Sequence, residues 1–196
     1  MDLDLNFLNK IEQLYAQFLA HDATQRDRLN RYRNIETESA KLLNILIRTQ
    51  HSKHILEIGT STGYSTLWLA QAAKQTQGKI TTLEIDKQRS EQAQKHAKDF
   101  ELDGHVDFKV ADALQFLQEN QQNYDFVLLD AERDAYTKYW KFLSELVREK
   151  GGLLVVDNVL SHAQDVKEFI RIVENDERFI TTTLAVGAGL FLVTKK

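Results

Sequence analysis

The spacing of apolar residues changes near position 53, and the change predicts two kinds of element. From Leu5 to Leu19 the residues Leu5, Phe7, Leu8, Ile11, Leu14, Tyr15, Phe18 and Leu19 recur mostly at helical intervals. This predicts an amphipathic helix that needs a partner surface. His21 to Asn34 is polar and basic, readable as loop or solvated helix. Ala40, Leu42, Leu43, Leu46 and Ile47 then restart a helical pattern.

From Lys53 onward short aliphatic runs alternate with helical segments. The runs are His54–Ile58, Lys79–Ile85, Val106–Val110, Phe126–Leu129 and Leu153–Val156. Runs this short and apolar suit parallel strands covered on both faces, joined by helical crossovers. The clearest helical faces carry Tyr136, Tyr139, Trp140, Leu143, Leu146 and Val147, then Val166, Phe169, Ile170 and Val173. Phe179–Val186, a Gly187-Ala188-Gly189 turn and Leu190–Thr194 predict two strands joined by a tight hairpin. The expected fold is α/β, doubly wound and mostly parallel, with a C-terminal antiparallel hairpin and N-terminal helices. One domain over 1–196 accommodates it, with 1–34 as a helical extension and 35–196 as the core.

Composition narrows the chemistry. A chain of 196 residues, 42% hydrophobic, can bury one substantial core. It has no cysteine, which excludes disulfides, thiolate metal sites and cysteine nucleophiles. The formal net charge of −4 lacks the basic footprint of phosphate-backbone binding, so nucleic acid is not expected as a partner. Met1-Asp2-Leu3-Asp4 is acidic where a secretory signal is positive, and no apolar run approaches the roughly 20 residues that span a bilayer. A cytoplasmic protein without a membrane partner is expected.

In open parallel sheets ligands bind beyond the carboxyl ends of the strands. Those ends here carry Glu57 and Gly59, Glu84 and Asp86, Asp112, Asp130, and Asp157-Asn158. A single acid at such a place can merely cap a helix. The segment from Leu56 to Ser65 (LEIGTSTGYS) reads as strand, tight turn and helix start, in which Gly59 and Gly63 let the backbone approach a ligand. Its G-x-x-x-G spacing is neither the dinucleotide fingerprint nor the lysine-bearing phosphate loop, which disfavours a nicotinamide oxidoreductase and nucleotide triphosphate chemistry. Glu84, about two dozen residues downstream of the loop, stands where an acid can accept hydrogen bonds from ribose hydroxyls.

Glu57-x-Gly59-x-x-x-Gly63, Glu84 and the Val110-Ala111-Asp112-Ala113 turn together resemble class I S-adenosylmethionine methyltransferases. The resemblance implies a Rossmann-like, seven-stranded sheet. It also implies that Glu57, Gly59, Thr60, Ser61, Gly63, Tyr64 and Ser65 surround the methionyl part of the cofactor. Glu84 would hold the ribose, Asp112 with Ala113 would border the adenine, and Ile85 is counted among the cofactor's neighbours. The stretch from Tyr124 to Tyr136 (YDFVLLDAERDAY), followed by Gly151 to Asn158 (GGLLVVDN), resembles the catechol and caffeoyl-CoA O-methyltransferase family over most of the chain from about Ile35. That likeness implies transfer of a methyl group to a hydroxyl of a small catechol-like or hydroxycinnamoyl-type acceptor. It further implies a divalent cation, usually magnesium, on Asp130, Asp157 and Asn158, a hard-oxygen donor set suited to such an ion.

The family commonly has lysine three residues after the first metal acid, where Arg133 stands here. Arginine does not release its proton at any useful pH, so a lysine-base mechanism does not carry over. Asp130 and Arg133 remain the expected catalytic positions, Arg133 as an electrostatic partner of a phenolate. Asp130 is also counted with the cofactor's neighbours. Relatives often have aspartate between the last two glycines, where Ala188 stands here, and His162 is an isolated histidine beside the loop after Asn158. Amino-methylating nucleic-acid enzymes of the superfamily use a proline motif and carbon-5 enzymes a cysteine; this chain has neither residue. A non-catalytic or metal-independent S-adenosylmethionine-binding protein is the alternative reading. The Leu5–Leu19 helix could cover the site or form a homodimer interface, the latter being the expectation.

Overall fold

The computed structural model describes residues 5–27 and 30–196. The acidic start at positions 1–4, and positions 28 and 29 of the polar stretch, lie outside the described residues. The elements run α1 (Leu5–Thr24), α2 (Thr37–Gln50), β1 (His54–Ile58), α3 (Tyr64–Thr76), β2 (Lys79–Glu84), α4 (Lys87–Asp99), β3 (Val106–Val110), α5 (Ala113–Glu119), β4 (Phe126–Leu129), α6 (Tyr136–Leu146), β5 (Leu153–Val156), α7 (Ala163–Glu174), β6 (Phe179–Leu184) and β7 (Leu190–Lys195). The strands form one seven-stranded sheet in the order β3-β2-β1-β4-β5-β7-β6. All pairings are parallel except β5 with β7 and β6 with β7. This is the doubly wound sheet with a terminal antiparallel hairpin that the apolar pattern predicts.

The central strands β4 and β5 read as unbroken apolar runs because both faces are covered. Ile55, Phe126, Leu128 and Val155 pack into one layer with α1, α2 and α3. Their sequence neighbours Leu56, Val127, Leu129, Leu154 and Val156 pack into the other with α6 and α7. Two differences from expectation lie at strand ends. Ile85 is 72% exposed and lies outside β2, which ends at Glu84. The hairpin opens at Leu184–Leu190, leaving a five-residue connection around Gly187 where a tight turn was expected. Among the described residues no helix is long and apolar enough to cross a membrane.

The α1 stripe finds its partner inside the chain. Phe7, Ile11, Leu14 and Phe18 are buried in the same cluster as Trp68, Ala97 and the sheet residues Ile55 and Ile80. Phe7 meets the edges of Trp68 and Phe100 at 5.2 and 5.7 Å between ring centroids. Phe7, Ile11, Leu14 and Phe18 are thus taken up by packing inside the chain, while Leu5 and Leu19 of the same stripe stay exposed. Ile11, fully enclosed, tests the point: Ile11→Ala is expected to lower unfolding free energy by about 2–5 kcal/mol in urea denaturation. A loss below about 0.5 kcal/mol, the scale of a surface change, would mean that α1 is peripheral.

Candidate functional site

At the carboxyl edge of the sheet the β1–α3 turn is shaped by close contacts within the protein. Gly59 has φ +105°. A Cβ there would lie 1.9 Å from the carbonyl oxygen of Asp130, next to it across the β1–β4 pairing. Gly63 has φ +89°, and a Cβ would lie 2.9 Å from that of Ala93 on α4. At both positions the chain itself fills the place a side chain would take, and Gly59 still lines the cavity with its backbone.

The six strand-end carboxylates divide by environment. Asp86 and Asp112 cap helices: Asp86 accepts from the amides of Gln88 and Arg89, and Asp112 from that of Gln115. Glu84 braces the glycine loop, its Oε2 accepting from the Ser61 amide at 2.8 Å and its Oε1 from the Asp86 amide at 3.0 Å. Glu57 is fully buried below the loop, where its Oε2 accepts from the hydroxyls of Thr66 and Thr82, each at 2.6 Å. Among the described residues its Oε1 has no hydrogen-bond partner. Burial, opposed by the hydroxyl hydrogen bonds, pushes the Glu57 carboxyl up to about 7.

Asp130 and Asp157 cap nothing. Instead the Asn158 amide stands between them, donating to Asp130 Oδ1 at 3.1 Å and to Asp157 Oδ2 at 3.0 Å. Asn158 holds this place in the left-handed region, φ +66°. Asp157 Oδ1 is buried without a partner. Burial raises both carboxyls, and the Asp130 charge raises Asp157 further; Arg133 and then Arg33 oppose the rise at Asp130. Among the described residues no group of three or more histidine, aspartate or glutamate side chains is gathered for a metal. The candidate donor set is two carboxylates and one amide.

A cavity of about 660 Å³ opens over this edge. Of the sequence-predicted positions Gly59, Ser61, Ser65, Glu84, Ile85, Asp112, Ala113, Asp130, Arg133 and Asn158 line it. Glu57, Thr60, Gly63, Tyr64 and Asp157 do not; they form its support. Thr60 bonds Thr82 at 2.5 Å, and the Tyr64 hydroxyl bonds Thr37 at 3.0 Å while its ring stacks on Tyr15. His162 reaches the wall and bonds Ser161 through Nδ1 at 2.9 Å.

Sequence reasoning missed the segment Arg31–Ile35, which forms the facing wall. Asp22, at the end of α1, holds it by accepting from the amides of Tyr32 at 2.7 Å and Arg33 at 3.0 Å. The Ser61 hydroxyl donates to the Tyr32 carbonyl, joining wall to glycine loop. Tyr139 on α6 was read only as a packing residue yet reaches the cavity. Tyr136, assigned the same role, has its hydroxyl donating to the Ala131 carbonyl and accepting from the Ala131 amide, which pins the loop after β4. No apolar period marks Arg31–Ile35; the only signal was its basic character.

The Glu57 carboxyl yields a test. Its pKa rises from 4.5 unfolded to about 7 folded, so the folded state binds the proton more tightly. That contribution is fully present below pH 4.5 and is lost as pH rises through about 7. Glu57→Gln, which resembles the protonated form, is expected to gain stability relative to the parent across this window in pH-dependent urea denaturation. A difference independent of pH would contradict the raised pKa.

Comparison with known proteins agrees with this geometry. A sequence profile of the O-methyltransferase family matches residues 11–196. A catechol O-methyltransferase of Niastella koreensis is 32% identical over 139 residues, covering 69% of this chain and 62% of that protein. A caffeoyl-CoA O-methyltransferase of Medicago sativa is 37% identical over 136 residues, covering 65% of this chain and 54% of that protein. The chain thus matches less than two thirds of the length of either relative. Among solved structures, an O-methyltransferase from Bacillus cereus in complex with SAH superposes with a TM-score of 0.79 at 25% identity, covering 97% of this chain and 91% of that one. The Streptomyces achromogenes O-methyltransferase TomG, involved in tomaymycin synthesis and solved with SAM, gives 0.78 at 26% identity over 100% and 91%. With the profile spanning nearly the whole chain and the fold shared from end to end, this protein belongs to the O-methyltransferase family.

Proposed function

We propose that this protein transfers the methyl group of S-adenosylmethionine to a hydroxyl of a small catechol-like or hydroxycinnamoyl-type acceptor. The observation that carries the reading is one cavity lined both by Gly59, Ser61, Glu84 and Asp112 and by Asp130, Asn158 and Arg133. The relatives solved with SAH and SAM support the cofactor assignment.

On this reading Glu84 accepts from the ribose hydroxyls with lone pairs left over from its bonds to the Ser61 and Asp86 amides. Asp112 and Ala113 border the adenine, and the Gly59–Ser65 loop frames the methionyl part. The acceptor oxygen attacks the sulfonium methyl in line. An O–CH3 bond forms as the S–CH3 bond breaks, the sulfur becomes a neutral thioether, and the hydroxyl proton leaves to water. A phenol with a pKa near 10, judged by tyrosine, is mostly protonated at neutral pH, so positive charge beside the oxygen matters. Arg133 supplies such charge without acting as a base.

The residues present fit a divalent cation. Two buried carboxylates held together by one amide, with Asp157 Oδ1 partnerless among the described residues, form a hard-oxygen set of the kind such an ion takes. Asp130, Asp157 and the Asn158 amide oxygen would hold the ion. It would supply a lowered pKa for the bound acceptor hydroxyl.

The test is radiolabelled methyl transfer across a panel of catechols and hydroxycinnamoyl thioesters, with magnesium and with chelator. Transfer to vicinal diols is expected with magnesium, falling by at least about 100-fold in chelator or on Asp157→Ala. Full activity in chelator would remove the metal from the mechanism, and no transfer to any diol would overturn the function. Glu84→Ala is expected to weaken S-adenosylmethionine binding by at least about tenfold in calorimetry, the loss of charge-assisted hydrogen bonds. Unchanged affinity would contradict its ribose role.

A further inference from the structure

Two guanidinium groups approach the acceptor side of the cavity, and both are poorly matched inside the protein. Arg133 lines the wall with its side chain only 10% exposed. Among the described residues its hydrogen bonding is a single contact, Nε to Asp165 at 3.3 Å, and the Asp165 side chain is itself 53% exposed. A guanidinium has five N–H donors, so most of its capacity is unused. Arg33 reaches in from the facing wall, its backbone fixed by Asp22. Its Nη2 donates to Glu132 at 2.9 Å, while its Nε is buried without a partner. Because Glu132 directly precedes Arg133, both guanidiniums flank the same loop.

We propose that Arg33 and Arg133 bind a carboxylate carried by the acceptor, so that the substrate is an aromatic vicinal diol acid and not a neutral catechol or a thioester. This rests on the O-methylation reading above. Ion pairs with partners as exposed as Glu132 and Asp165 contribute little, so a ligand carboxylate can displace them at small cost. Once displaced, each guanidinium offers a planar two-donor edge that matches a carboxylate. A neutral diol would leave both guanidiniums with only these exposed carboxylate partners. The cofactor's own carboxylate is the competing occupant, but Asn34 offers it a donor apart from Arg33. Asn34 accepts from Thr62 of the glycine loop at 3.4 Å and keeps a buried, unpartnered amide N–H on that side. Arg33 is instead tied to the loop after β4.

The experiment compares three acids, 2,3-dihydroxybenzoate, 3,4-dihydroxybenzoate and 3,4-dihydroxycinnamate, each against its methyl ester. Binding to the S-adenosylhomocysteine complex and kcat/KM are both measured. At least one acid is expected to exceed its ester by about tenfold or more in both, the worth of one charged hydrogen bond. Arg33→Met is expected to bring that ratio close to one, and Arg33→Lys to retain part of it, with circular dichroism reporting the fold of each variant. If no acid exceeds its ester, the inference fails while the methyltransferase reading stands. If Arg33→Met weakens S-adenosylmethionine binding and leaves the acid-to-ester ratio intact, the guanidinium serves the cofactor and the inference fails. Absence of transfer to every acid and ester, by contrast, counts against the function itself.

Discussion

The backbone of β1 passes so close to that of β4 that no side chain fits at position 59. The Asp130 carbonyl occupies the place of a Cβ, and φ at Gly59 lies in the region that only glycine adopts without strain. From this contact the rest of the site follows. It sets the glycine loop directly beside the loop that carries Asp130 and Arg133, so that a single cavity has both as walls. On the other flank, Asp157 follows β5, whose register with β4 is parallel, and its amide donates to Leu129. Three neighbouring strands thus deliver their ends to one edge.

What happens to a carboxylate at that edge depends on how deep it lies. Asp86 and Asp112 reach helix amino termini, where free backbone amides satisfy them. Glu84 finds amides of the adjacent loop. Glu57 points below the sheet edge, meets only hydroxyls, and holds its proton more tightly than usual. Asp130 and Asp157 meet each other across one amide. Buried like charges with so few donors are costly unless something further compensates them, and this makes the corner chemically distinct from the capping acids.

The amino-terminal segment completes the site from outside the sheet. Burial of Phe7, Ile11, Leu14 and Phe18 fixes α1 against α3 and α4. That places Asp22 where it can accept from two backbone amides of the Tyr32–Arg33 wall, which holds its carboxyl below the usual aspartate range despite partial burial. Hydrophobic packing at one end of the helix therefore positions a charged wall of the cavity at the other.

Much of the fold was legible in the chain itself. Apolar runs such as Phe126–Leu129 demand two covered faces, helical periods such as Val166–Val173 supply the covers, and the loop from Gly59 to Ser65 with Glu84 is local enough to recognise. Strand-end acids were also visible, because a buried strand must stop where polar groups begin. Their division into caps, braces and the Asp130–Asp157 pair was not, since each role depends on which backbone amides lie nearby in space. Nor could Arg33 be placed, as only packing of α1 and the Asp22 hydrogen bonds bring position 33 to positions 130–133. The sequence by itself determined the elements, the mostly parallel sheet and the glycine turn after its first strand, all properties of periodicity and short-range spacing. Tertiary structure alone decided which charged groups face one another, because electrostatic partnership is set by distance in space and not along the chain.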